Sequence, residues 1–188
     1  IDDMPGFMRK LQGRDGTAAR ALEVTILTAA RSGEARGATW SEVDLNERVW
    51  TVPAQRMKAQ REHRVPLSDA AVALLKAQKA EDGTDLIFPA PRGGPLSDMA
   101  LTAVLRRIGA DAVPHGFRST FRDWAGERTD FPREVAEQAL AHTLESKVEA
   151  AYRRGDSLDK RRKLMGDWAA FCSGTKALSV ADIFRSRP

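Results

Sequence analysis

A single cysteine, Cys172, a single tyrosine, Tyr152, and three histidines stand in 188 residues. One thiol excludes an internal disulfide and any cluster of thiolate metal ligands. No apolar run approaches the ~20 residues that span a bilayer, and the opening IDDMPGFMRKLQ has no apolar signal core. No GxSxG elbow is present, and RGGP lacks the Gly-Lys-Ser/Thr ending of a phosphate loop. There is no HExxH, and no carboxylate sits at ligand spacing beside His115 or His142, so a metal site is not expected. Cys172, inside the apolar WAAFC, reads as inert core. These absences lead to the expectation of a cytoplasmic protein.

What is present is a modest basic excess, unevenly spread. Net charge is +4 with a pI near 9.5. RMKAQREHR holds four cations against one anion, and KVEAAYRRGDSLDKRRK seven against three. Local basic patches on a nearly balanced chain suit a phosphate-bearing partner held at a defined place, although each alone also fits a solvated helix face.

The chain reads as α+β: mainly α-helical, with a small, about three-stranded antiparallel sheet. Residues 1–16 are a linker or a first helix. TAARALEVTILTAA has helical apolar spacing at Leu22, Ile26 and Ala29/Ala30, and RSGEARGATWSEVD gives a turn and a short helix. Strands are expected around Trp50 and Val52, around Val65, and at LIF (86–88), with a polar hairpin turn over Ala54–Arg61. One helix starts after the cap Ser68, and another runs from Ser97 to a stop at Gly109. HGFRSTFRDWAGER, PREVAEQALAH (with Pro132 in its first turn), SKVEAAYRR and DKRRKLMGDWAAF supply the remaining helices.

The chemistry-bearing residues are scattered. His115 and Arg118, three apart, share a helix face and make a grip for a phosphate. His142 ends its helix, where an imidazole can simply balance the dipole. His63 reads as structural or exposed. Tyr152 needs converging cations to act as a nucleophile, since a phenol is normally protonated up to about pH 10. Adjacent Arg153 and Arg154 face other ways on a helix, so such cations must come from elsewhere. By itself Tyr152 reads as well as a half-buried aromatic.

Five blocks occur in one order: ILTAARSGEARGATWSEVD, RMKAQREHRVPLS, HGFRSTFRDWAGE, ALAHTLESKVEAAYRRGD and DKRRKLMGDWAAF. Together they resemble the catalytic domain of tyrosine recombinases, in particular the integrases of prophages and genomic islands. The resemblance runs from about Phe7 to about Phe171. It implies a catalytic set of Arg31, Lys58, His115, Arg118 and His142, with Tyr152 as nucleophile and Glu34 as a buried support. TAAR departs from the family's Thr-Gly-x-Arg, which puts the backbone at Ala29 in question more than the role of Arg31.

The resemblance further implies site-specific cutting and rejoining of double-stranded DNA at an attachment-site core, to integrate or excise a mobile element. The intermediate is a 3′-phosphotyrosine, with no cofactor and no metal. Arg56, Arg61, Arg64, Arg153 and Arg154 are candidate DNA contacts. The alternatives are a type IB topoisomerase-like nicking and resealing enzyme, or a catalytically silent DNA-binding module of the same fold. The implied organisation is a catalytic domain over 1–176 and a subunit-docking tail over 177–188, as a fragment lacking upstream DNA-binding domains. Assembly is expected to be a homotetramer on DNA and a monomer for the fragment alone, in the bacterial cytoplasm at the nucleoid and not on a membrane.

Overall fold

The computed structural model describes residues 3–78, 83–142 and 157–175. The expected helix around Tyr152 and the tail 177–188 lie outside these residues, as do Arg153 and Arg154.

The first helix, α1 (Met4–Gln12), buries Met4, Met8 and Leu11, a four- and three-residue spacing that fits one helical stripe. It is followed by α2 (Thr17–Thr28), of which nine residues are buried, including Leu22 and Ile26. Such all-round burial marks a central helix. It packs against α1, the short α3 (Ser32–Arg36), α4 (Asp69–Ala77), α5 (Ala100–Ile108) and α8 (Leu158–Ser173). The caps of α4 and α5 explain their limits. Ser68 Oγ accepts the amide N–H of Ala71, and Gly109 ends α5 in the left-handed conformation at φ 74°. The start of α5 lies three residues beyond Ser97, at Ala100.

The sheet has three antiparallel strands in the order β1 (Val43–Asp44), β2 (Val49–Val52), β3 (His63–Pro66), with Trp50 opposite Val65. The third strand is therefore 43–44 and not the expected 86–88. Leu86 makes only an isolated bridge to Thr39, and Pro89 bridges Pro95. Proline cannot donate to a ladder, so the segment cannot extend that pairing. Ile87 and Phe88 are instead buried as core plugs.

Two further helices, α6 (Gly116–Arg128) and α7 (Arg133–Ala139), close the domain with α8. Their core is aromatic. Trp168 lies edge-on to Phe121 at 5.4 Å and donates its indole N–H to the Ile26 carbonyl at 2.8 Å. Trp124 packs on Trp168 at 5.1 Å. A buried indole needs such a partner, so this bond ties α8 to α2 in one register. Cys172 is buried in the same helix, and burial pushes its thiol up, consistent with inert core. No helix among the described residues is long and apolar enough to cross a membrane.

Candidate functional site

The site is assembled around the turn that joins α2 to α3. Ala29 ends α2 at φ 51°, in the left-handed region where glycine is favoured. The turn then places Arg31 directly before α3. Its backbone N–H donates to Glu34 Oε2 at 2.8 Å, and its guanidinium donates to Glu34 Oε1 at 2.9 Å. Glu34 is buried, so the expectation that it supports the turn holds in the geometry. The Arg31 side chain is about one quarter exposed, enough to leave one edge open to a partner.

Arg118 approaches the same turn from α6. It is 4% exposed, an unusual position for a guanidinium. Nη1 donates to the Ala29 carbonyl and Nη2 to the Leu140 carbonyl at 2.6 Å. Both carbonyls lie at helix C-termini, the negative ends of the helix dipoles of α2 and α7. Nη2 also approaches His142 Nε2 at 3.3 Å. The Arg118 Nε is buried without a partner. Burial and the neighbouring Arg31 cation pull the Arg118 guanidinium down to about 10, while Glu34 works against that shift. Two guanidiniums drawn to one turn, close enough that one lowers the other, make a place where an anion is favourable.

His142 follows α7 through a tight stop. Ala141 is left-handed at φ 50°, and the His142 N–H returns to the Glu137 carbonyl at 3.0 Å, the long bond of a Schellman cap. The imidazole is exposed, and its Nδ1 meets Glu137 Oε2 at 2.6 Å. Glu137 is itself buried and takes Arg122 Nε at 2.7 Å. Sequence reading missed this carboxylate. The available signal was a glutamate five residues before the histidine, the spacing that the cap brings together.

An open cleft of about 480 Å³ runs beside the turn, lined by Arg31, Glu34, Arg56, Lys58 and His115 among others. Lys58 is exposed in the loop before β3, next to Met57, whose burial pins that loop. His115 stands exposed at the start of α6. The expected shared face of His115 and Arg118 is thus split by depth: Arg118 points into the core and His115 lies at the rim. Arg31, Lys58 and His115 line the cleft, and Arg118 meets His142. Tyr152 lies outside the described residues.

The hairpin cations have unequal positions. Arg61 and Arg64 are exposed. Arg56 has its donors taken up: Nη1 binds the Glu42 carboxylate and Nη2 the Glu34 carbonyl. It braces the hairpin against α3 and also lines the cleft. His63 is structural. It donates from Nε2 to the Ala139 carbonyl at 3.3 Å, and burial followed by the nearby Arg161 lowers it to about 4. Among the described residues, no three His, Cys, Asp or Glu side chains gather as a metal ion would need.

Comparison with known proteins fits this arrangement. The profile of the phage integrase family matches residues 2–157. The prophage integrase IntA of Escherichia coli (strain K12) is 41% identical over 160 residues, covering 82% of this chain and 38% of its own. The integrase of Enterobacteria phage P4 is 32% identical over 189 aligned positions, covering 89% and 43%. The chain therefore spans about two fifths of these relatives' length. Among solved structures, the integrase from mycobacterium phage Brujita superposes with a TM-score of 0.65 at 18% identity, over 96% of this chain and 61% of that one. XerA recombinase gives 0.62 at 18% identity, over 85% and 60%. These two likenesses establish a common fold for the helices and the small sheet. By its sequence match over most of its length, this chain is a member of the phage integrase family of tyrosine recombinases.

Proposed function

We propose that this chain is the catalytic part of a site-specific DNA recombinase that integrates or excises a mobile element. The observation that carries the reading is the convergence of Arg31 and Arg118 on one turn, beside His142, Lys58 and His115. A transferring phosphoryl group concentrates negative charge on its non-bridging oxygens, and two guanidiniums can bind that charge without a metal ion. Tyr152 Oη attacks the scissile phosphorus. The Tyr152 O–P bond forms as the bond to the 5′-oxygen breaks, leaving a 3′-phosphotyrosine and a free 5′-hydroxyl. The phenolic proton passes to His115, and Lys58 protonates the leaving 5′-oxygen; each such transfer contributes about 100- to 10,000-fold in rate. The ester keeps the phosphodiester energy, so resealing needs no nucleotide.

Arg61 and Arg64, with Arg153 and Arg154, extend the contact along duplex DNA. Exchange between two duplexes requires four strand cuts and one tyrosine per cut, hence four copies on two sites. The reaction belongs where the chromosome is, in the cytoplasm of a bacterium. The relatives named as integrases favour strand exchange over simple nicking and resealing.

The test uses a nicked suicide substrate carrying a candidate attachment-site core. The wild type forms a denaturation-resistant protein–DNA adduct, Tyr152→Phe forms none, and EDTA changes neither result. An adduct that persists in Tyr152→Phe sinks the mechanism. No adduct on any cognate core favours a silent DNA-binding module. Adducts without joined products from two sites favour a nicking and resealing enzyme.

A further inference from the structure

The Glu137 carboxylate belongs to no role described so far. It is 7% exposed, and it is the hub of a chain of side chains running Arg122, Glu137, His142, Arg118. Arg122 Nε holds Oε1 at 2.7 Å, with Arg133 Nε further off at 3.6 Å. Burial alone would raise this carboxyl, but hydrogen bonds from His142 and Arg122 outweigh it and hold it below the usual carboxylate range. An ionised carboxylate can only accept, and a guanidinium can only donate. The ring between them therefore has one consistent arrangement. Nδ1 carries the proton towards Glu137, and Nε2 offers its lone pair to Arg118.

We infer that Glu137 is a positioning residue for the phosphate site: it holds the Nδ1 edge of His142, so that Nε2 is the ring atom turned towards Arg118. The hold is double, because the Glu137 carbonyl also takes the His142 backbone N–H at 3.0 Å. Arg122 keeps the carboxylate from rotating away. Without the carboxylate, the exposed imidazole can turn about its bonds and present either nitrogen. The structural half of this inference stands on the geometry alone, and its effect on cleavage rests on the recombinase reading.

The experiment labels the histidines of this chain with nitrogen-15. Its three histidines give three ring systems, and His142→Gln assigns one of them. In the wild type the His142 ring is protonated on Nδ1. In Glu137→Met, similar in shape but without an acceptor, the Nε2-protonated form takes over. Adduct formation at saturating DNA slows about 10- to 100-fold, the scale known for partners that orient metal-bound histidines, with DNA affinity unchanged. Glu137→Gln keeps an acceptor oxygen, retains the Nδ1 proton and recovers part of the rate. A wild-type ring protonated on Nε2 overturns the inference, as does a folded Glu137→Met that cleaves at the wild-type rate. Should Glu137→Met fail to fold, the wild-type and Glu137→Gln spectra decide. If the wild type makes no adduct, the recombinase reading falls, while the position of the ring proton still judges the hold of Glu137.

Discussion

Arg118 shows how much of the site rests on single side chains. Its guanidinium is fixed by two main-chain carbonyls and a histidine, and it retains a donor without a partner. Lysine has one compact cation and cannot reproduce that planar set. Arg118→Lys is therefore expected to slow adduct formation by about 100- to 1,000-fold, as loss of a preorganised donor does, read from the initial rate on the suicide substrate. His63 carries a different prediction. Its folded value of about 4 lies below the ordinary 6.5, so the unfolded chain binds the extra proton first. Its contribution to stability is complete above pH 6.5 and is lost as pH falls towards 4, a change on the order of 3 kcal/mol. Urea midpoints should decline between pH 6.5 and 5 in the wild type and stay flatter in His63→Gln. Equal slopes in the two proteins would contradict the burial of a neutral His63.

At the scale of elements, the site is built from two helix ends. A left-handed alanine follows each helix end, Ala29 directly after α2 and Ala141 one residue beyond the Leu140 cap of α7, and each stop turns a carbonyl to Arg118. Alanine there is strained by roughly 1 kcal/mol. Changing Ala29 to glycine removes the strain but also a buried methyl group worth about 0.8 kcal/mol. The two nearly cancel, which explains why TAAR works where a glycine is usual. Ala29→Val has no such balance. A β-branched residue in this region is an outlier, and the site is 1% exposed. The urea midpoint should fall by the equivalent of about 2 kcal/mol or more, and a wild-type midpoint would contradict the turn. These ends also show what the sequence could reveal. Ser68 and Gly109 announced their helices because side-chain caps and glycine stops act locally. The edge strand Val43–Asp44 did not, since two residues carry no alternation and only the ladder with β2 defines them. The bracing role of Arg56 was not legible because its partners, Glu42 and the Glu34 carbonyl, come from other elements. Glu137 stayed silent for the same reason, as its role depends on a cap that folds His142 back.

At the scale of the whole molecule, the central helix α2 connects the core to the chemistry. Trp168 of α8 donates to the Ile26 carbonyl three residues before Ala29, and Ala29 in turn holds Arg118. The aromatic cluster around Trp168 therefore backs the anion site, and α8 anchors the chain just beyond the segment that carries Tyr152. Arg31, Lys58, His115, Arg118 and His142 come to this one region from four of the five blocks, parts of the chain far apart in sequence. If Tyr152 is the nucleophile, it becomes covalently joined to DNA, and mass spectrometry of the trapped adduct shows the residue that carries the link. After nuclease digestion and trypsin, cleavage at Lys147 and Arg153 releases Val148–Arg153. This peptide is expected with a nucleotide remnant esterified to the Tyr152 oxygen. A remnant on any other residue, or an unmodified Val148–Arg153 peptide from purified adduct, would contradict it.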